Sequence, residues 1–240
     1  QDYTQNLLEL LQLYHQHYPH PTSEVQAKAD EIELPFVSED LPKLLASMKI
    51  GAERIQKIVL SLRNFSRLDE ADMKAVDIHE GIDSTLMILQ HRLKAKPHHP
   101  AIQIIKDYSP LPLVECYAGQ LNQVFMNILV NALDALEEWD LQRTPEAIRH
   151  TPSTIRICTQ MSTDDWIMVQ IADNGPGMPE PVRNRLFDPF FTTKSVGKGT
   201  GLGLSISYQI VTEKHGGSLQ CISTPNEGAT FVVQIPVRQG

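Results

Sequence analysis

Residues 3–18 place Leu7, Leu8, Leu10, Leu11, Leu13, Tyr14 and Tyr18 on one broad apolar face, which predicts a helix ended by Pro19-His20-Pro21. Residues 22–39 are polar, with a short helix from Ser23 onward. Beyond them Leu41, Leu45, Met48, Ala52, Ile55, Val59 and Leu62 recur at alternating spacings of four and three, an a/d seam that predicts a helix over 40–67. Leu44, Ile58 and Phe65 widen the seam, which suits a helical bundle better than a two-stranded coil. As helices the two long segments would span about 42 Å and about 24 Å. The end of the longer one, near Leu62 and Phe65, would then lack a partner, and a segment N-terminal to Gln1 is expected to cover it.

Residues 69–77 read as a polar, acidic hinge, and the pattern after it is α/β. A short apolar stretch near Val76 precedes a helix over 80–94 and a strand at 102–105. A helix over 118–138, strands at 154–161 and 166–172, a glycine-rich region and a helix over 202–214 follow. Strands at 218–223 and 229–236 close the chain. With little helix between them, the last strands are expected to pair antiparallel in one sheet. Residues 139–153 read as a polar surface loop.

The composition narrows the function. At 240 residues, with 41% hydrophobic and 21% charged positions, the chain is an ordinary globular protein with room for one large domain and an appendage. A net charge of −8 with no stripe of Lys and Arg argues against nucleic acid as a partner. No apolar run approaches a membrane span, so no membrane contact is expected within this fragment. Cys116, Cys158 and Cys221 have no metal-ligand spacing and read as reduced thiols of a cytoplasmic protein.

The candidate chemistry sits in four pieces. On helix 118–138, Asn127 and Asn131 lie four apart, with Asp134 a turn further, among apolar neighbours. Asn is a mediocre helix former, and a Mg²⁺ ion that takes one or two protein oxygens gives it a reason to be there. Asp173 ends an apolar strand and opens Asn174-Gly175-Pro176-Gly177-Met178; a buried carboxylate there can accept the exocyclic amine of adenine, favouring ATP over GTP. Gly199-Thr200-Gly201-Leu202-Gly203-Leu204 opens a helix, where small residues let backbone amides approach phosphate. Between the glycine loops, Lys194 and Lys198 are candidate phosphate contacts. Neither the Walker A string nor Gly-x-Gly-x-x-Gly occurs.

In order and spacing these pieces resemble the ATP-binding domain of sensor histidine kinases, within the superfamily that includes gyrase, heat-shock chaperones and mismatch-repair proteins. The N box matches as Asn127–Asp134, the G1 box as Asp173–Met178, the F box as Phe187-Asp-Pro-Phe-Phe-Thr-Thr-Lys194 and the G2 box as Gly199–Leu204. His215-Gly-Gly and the Gly228–Phe231 strand also fit, so the likeness covers roughly 75–237. It implies an α/β (α+β) sandwich, with a mixed sheet packed on helices and ATP under a flexible lid, preceded by an α-helical hairpin of a dimeric four-helix bundle. It implies that Asn131 ligates Mg²⁺, that Asn127 lies near metal and phosphates, and that Asp173 takes the adenine amine. Gly175, Gly177 and Thr230 would lie near the base, and Gly201 and Gly203 at the phosphates.

The same likeness divides the chain into a hairpin at 1–68, a hinge at 69–77 and a catalytic domain at 78–240. None of the nine histidines carries the H box expected in a phosphoacceptor helix: His79-Glu80 starts one but continues Gly-Ile-Asp-Ser. The reading is a histidine protein kinase core, partnered by a response-regulator receiver domain and by a second copy of itself. It passes the γ-phosphoryl group to a histidine absent from this fragment. The alternative is an ATP-gated dimeric clamp of the chaperone and gyrase type. That branch carries a glutamate where this chain has Asn127, and the glutamate activates water. A third possibility is a dimerisation module with a vestigial pocket.

Overall fold

A computed structural model describes the backbone of residues 2–66, 72–95, 100–194 and 200–239. The chain divides into two compact units, Gln1–Val59 and Leu60–Gly240. The first holds α1 (Asp2–His17), α2 (Ser23–Glu31) and most of α3 (Leu34–Ser66). Thr22 caps α2, its Oγ1 accepting the Val25 amide at 3.4 Å. α3 begins six residues before the expected start, because Pro35 in its first turn has the backbone angle a helix needs there, and the helix then runs through Pro42. No side chain from Tyr3 to Lys49 is buried. Leu7, Leu10, Leu13, Tyr14, Leu44 and Met48 are all exposed. Of the a/d seam, Leu41 and Leu45 are half-buried; the side chains of Ile55, Val59, Leu62 and Phe65 lie outside the described residues.

The second unit is an α/β sandwich. Its elements are β1 (Lys74–Val76), α4 (Ile78–Ile88), α5 (Gln90–Leu93), β2 (Gln103–Tyr108), β3 (Val114–Cys116) and α6 (Ala118–Asp140), then α7 (Pro145–His150), β4 (Thr154–Thr163), β5 (Trp166–Asp173), α8 (Glu180–Arg183), α9 (Gly203–Gln209), β6 (Ser218–Ser223) and β7 (Ala229–Pro236). The main sheet has the order β2-β4-β5-β7-β6 and is mixed: β2 runs parallel to β4 and every other pair is antiparallel. β1 and β3 form a separate antiparallel pair. β3, α7 and α8 are too short to leave a periodic signature.

Helix α6 is the centre of the core. Leu121, Val124, Phe125, Ile128, Leu129, Ala132, Leu133 and Leu136 are all buried, the three-and-four spacing of one wide helical face. They pack against the inward residues of the sheet, including Ile155, Ile157, Ile167, Val169, Ile171 and Ile235. The segment expected as a surface loop at 139–153 holds the end of α6 and all of α7. Thr144 caps α7 with Pro145 at its first position, and buried Asp140 accepts from the Ser153 hydroxyl at 2.6 Å and from Arg143 at 3.2 Å. The helix expected over 80–94 starts at Ile78, where Asp77 Oδ1 accepts the His79 amide, and breaks at Leu89. That over 202–214 is α9 followed by a π-helical turn, Ile210–Lys214.

Candidate functional site

Strand β5 alternates half-buried and buried positions along its whole length, and the fourth buried position is Asp173. The alternation that sends Ile167, Val169 and Ile171 into the core thus sends a carboxylate in after them. Asp173 is only 9% exposed, and burial pushes its carboxyl up to about 6. The amides of Gly175 and Ala229 and its own backbone N–H pull the other way without cancelling the desolvation. Asp173 Oδ1 accepts the Gly175 amide at 2.9 Å.

That carboxylate lines a cavity of about 770 Å³, within the usual range for small-molecule sites. Asn127, Asn131 and Asp134 of α6 line it, as do Gly177 and Met178 after β5, Phe191 and Lys194, and Thr200, Gly201, Gly203 and Leu204 at the start of α9. All four sequence motifs meet at this one cavity. Gly175 and Leu202 are not in the lining; Gly175 donates its amide to Asp173 and Leu202 is the cap of α9. Lys198 and Gly199 lie outside the described residues.

Thr230 is not in the lining. Its neighbours Ala229 and Phe231 are, and the two-residue period of β7 turns Thr230 to the other side of the sheet. Ala229, opposite Asp173 in the ladder, is the strand residue at the cavity wall.

Each loop is shaped by close backbone contact. Gly177 has φ +64°, and a Cβ there would collide with the Thr224 carbonyl. Gly201, at φ +66°, leaves the same lack of room against the backbone of Phe190. Phe190 itself has φ +64° and is 74% exposed, an unusual state for a bulky residue. Ser223, which the sequence did not flag, accepts the Met178 amide at 2.9 Å and donates to the Gly228 carbonyl at 2.7 Å, tying the G1 loop to the β6–β7 turn.

Three polar residues of α6 are engaged across the fold. Asn127 Nδ2 donates to the Gly203 carbonyl at 2.9 Å and to Ser207 Oγ at 3.0 Å. Buried Ser207 in turn donates to the same carbonyl at 2.8 Å. With both amide protons held inside the protein, Asn127 has only its oxygen left to offer. Lys194 Nζ reaches Asn131 Oδ1 at 3.1 Å and Asp134 Oδ2 at 2.5 Å. Arg92, from the short α5, donates to Asp134 at 2.6 Å and to Glu137 at 2.5 Å. Burial opposes its charge, but the hydrogen bonds to Glu137 and Asp134 more than offset this and hold the guanidinium above its usual range. Arg92 belongs to no motif, and its partners lie more than forty positions away in sequence.

An amide oxygen and a carboxylate oxygen already gathered round an ammonium group suit a hard divalent cation with water and phosphate oxygens completing its shell. Among the described residues no group of three or more His, Cys, Asp or Glu is placed to hold a metal without such help. Among them, too, no helix is long and apolar enough to cross a membrane.

Residues 117–239 match the family described as histidine kinase-, DNA gyrase B-, and HSP90-like ATPase. The chain belongs to this family. Within it the likeness is to sensor histidine kinases. The chain is 33% identical over 193 residues to the sensor kinase CckA of Brucella abortus, covering 80% of this chain and 20% of that one. It is 30% identical over 185 residues to the signal transduction histidine-protein kinase AtoS of Escherichia coli, covering 77% and 27%. Among solved structures, the catalytic domain of histidine kinase ThkA superposes with a TM-score of 0.55 at 27% identity, over 69% of this chain and 98% of that one. The chain therefore spans about a fifth to a quarter of these curated relatives. Its second unit is a histidine kinase catalytic domain, an ATP-binding fold of two-component signalling. The mixed sheet on helices is the architecture expected from the boxes.

Proposed function

We propose that this chain is the kinase core of a cytoplasmic two-component system. It binds ATP with Mg²⁺ and transfers the γ-phosphoryl group to a histidine that is not one of its own nine. From there the phosphoryl group passes to an aspartate on a response-regulator receiver domain. The observation that carries this reading is that N, G1, F and G2 residues line one cavity with a buried carboxylate in its wall.

In that cavity Asp173 accepts the adenine amine, and the amides near Gly201 and Gly203 meet the phosphates. Asn131 and Asp134 would hold Mg²⁺, which neutralises charge on the phosphate oxygens when bound. Lys194 stands at the same place as a second positive group. Asn127 cannot serve as a base for water, since an amide takes up no proton and its N–H groups are spent on Gly203 and Ser207. This favours transfer over hydrolysis, and so the kinase over the clamp.

Two of the chain's histidines are engaged inside the second unit. His215 is fully buried, and His79 stacks on Tyr108 while its Nε2 meets Thr159 Oγ1 at 2.8 Å. His98 and His99 lie outside the described residues. We assign residues 1–68 to the dimerisation module, 69–77 to a hinge and 78–240 to catalysis, with the exposed leucines of α1 and α3 as the face for a second copy. The test is to supply an H-box helix in trans with radiolabelled ATP. Acid-labile phosphohistidine on that helix, dependent on Mg²⁺, is the expected product; its absence at saturating ATP would count against the kinase reading.

A further inference from the structure

We propose that Lys194 is a displaceable internal cation, which competes with the divalent metal for Asn131 and Asp134. This rests on the reading of the cavity as an ATP·Mg²⁺ site. Asn131 and Asp134 lie one turn apart on α6, and the Lys194 ammonium bridges Asn131 Oδ1 at 3.1 Å and Asp134 Oδ2 at 2.5 Å. Arg92 grips the other oxygen of Asp134 at 2.6 Å while also holding Glu137, so Asp134 is pinned on one side and presents one free edge. The lysine occupies that edge.

A metal ion and an ammonium group cannot share the same two oxygens, because their charges repel at contact distance. The exchange is feasible because the ion pair is only partly buried: each side chain is 26% exposed, and the displaced ammonium returns to water. Thr192 and Thr193, next to the lysine in sequence, also line the cavity, so displacement leaves the positive group beside the phosphates. The lysine thus keeps these oxygens neutralised until metal reaches them. Metal arriving with nucleotide takes those oxygens and returns the ammonium to water.

The test is a Mg²⁺ titration of fluorescent ADP binding, ADP being chosen because it lacks the γ-phosphate that the lysine would touch. Lys194→Met should lower the half-saturating Mg²⁺ by about three- to tenfold, the range for losing a partly buried charged hydrogen bond. Lys194→Arg, which keeps the charge, should stay nearer the parent. In an Asp134→Asn background, Lys194→Met should change little, because the shared oxygen no longer carries charge. An unchanged or higher Mg²⁺ requirement in Lys194→Met, or an equal fall in the Asp134→Asn background, overturns the proposal while leaving the nucleotide site standing. A parent protein that binds no ADP at any Mg²⁺ concentration removes both.

Discussion

The Asp173 carboxylate accepts the Gly175 amide from a position that the alternation of β5 reserves for core side chains. That relation gives the site its chemistry. Backbone amides of Gly175 and Ala229 lie on the carboxylate, and it still faces a cavity from inside the sheet. An adenine amine meeting it there finds a charged acceptor with little water to compete.

Because burial raises Asp173 to about 6, nucleotide affinity should depend on pH. Binding of the amine favours the ionised form, so affinity should plateau above pH 7 and fall as pH drops through 6. Folding has the opposite sign. The folded value lies above the ordinary 3.8, so ionising Asp173 costs stability as pH rises through 6, by roughly 3 kcal/mol. Calorimetric titrations of ATP at about pH 5.5, 6.5 and 7.5 check the first, and urea unfolding from about pH 4 to 7 checks the second, each repeated with Asp173→Asn. The variant should lose the pH dependence and bind at least about tenfold more weakly.

His215 should give a second, separable pH effect. Its Nε2 accepts the Tyr117 amide at 3.0 Å and its Nδ1–H donates to the Ile210 carbonyl at 2.8 Å, which requires the neutral ring; burial lowers its pKa accordingly. The unfolded chain binds the proton that the folded one refuses. This contribution is therefore present above the unfolded value of about 6.5 and lost as pH falls below it. His215→Ala should cost about 2–4 kcal/mol at pH 7.5 and flatten the acid limb of the stability curve, measured by urea unfolding.

Gly177 and Gly201 should tolerate no side chain. Each has a positive φ and backbone in the place of a Cβ, Thr224 for one and Phe190 for the other. Alanine at either position should destabilise the second unit by roughly 1–3 kcal/mol and weaken ATP binding more than stability. Thermal shift with and without nucleotide separates the two effects.

The helical unit makes a prediction of its own. Leu44 and Met48 are exposed on the flank and seam of α3. If that face meets a second copy, Leu44→Glu with Met48→Glu should shift the mass seen by light scattering from dimer to monomer and leave ATP affinity within about twofold. A parent that is monomeric at all accessible concentrations contradicts the dimer.

Much of this was legible in the sequence for identifiable reasons. The apolar rows of α6 carry a helical period over many turns, so its face and the neighbouring polar stripe could be read together. The run Trp166–Ala172 marked β5, and strict alternation did the rest. The bounds of β7 were read as they stand, but Thr230 was placed at the base only by the family likeness; in a strand one residue changes the face, and Ala229 is the one at the cavity. Helix α7 carried its signal in Thr144-Pro145-Glu146, but its short length and polar residues resembled a loop. Arg92 was beyond reach. Its role is made by contacts with Asp134 and Glu137 across the fold, and nothing local distinguishes it from a solvated arginine.

The central claim is that one acidic side chain chooses the base of a nucleotide held in this cavity. Equilibrium binding of ATP and GTP to the unmodified chain with Mg²⁺ tests it most directly. The account predicts that ATP binds and that GTP, which offers a carbonyl where ATP offers an amine, binds at least about tenfold more weakly. Equal affinity for the two, or no binding of either at saturating concentration, would contradict it.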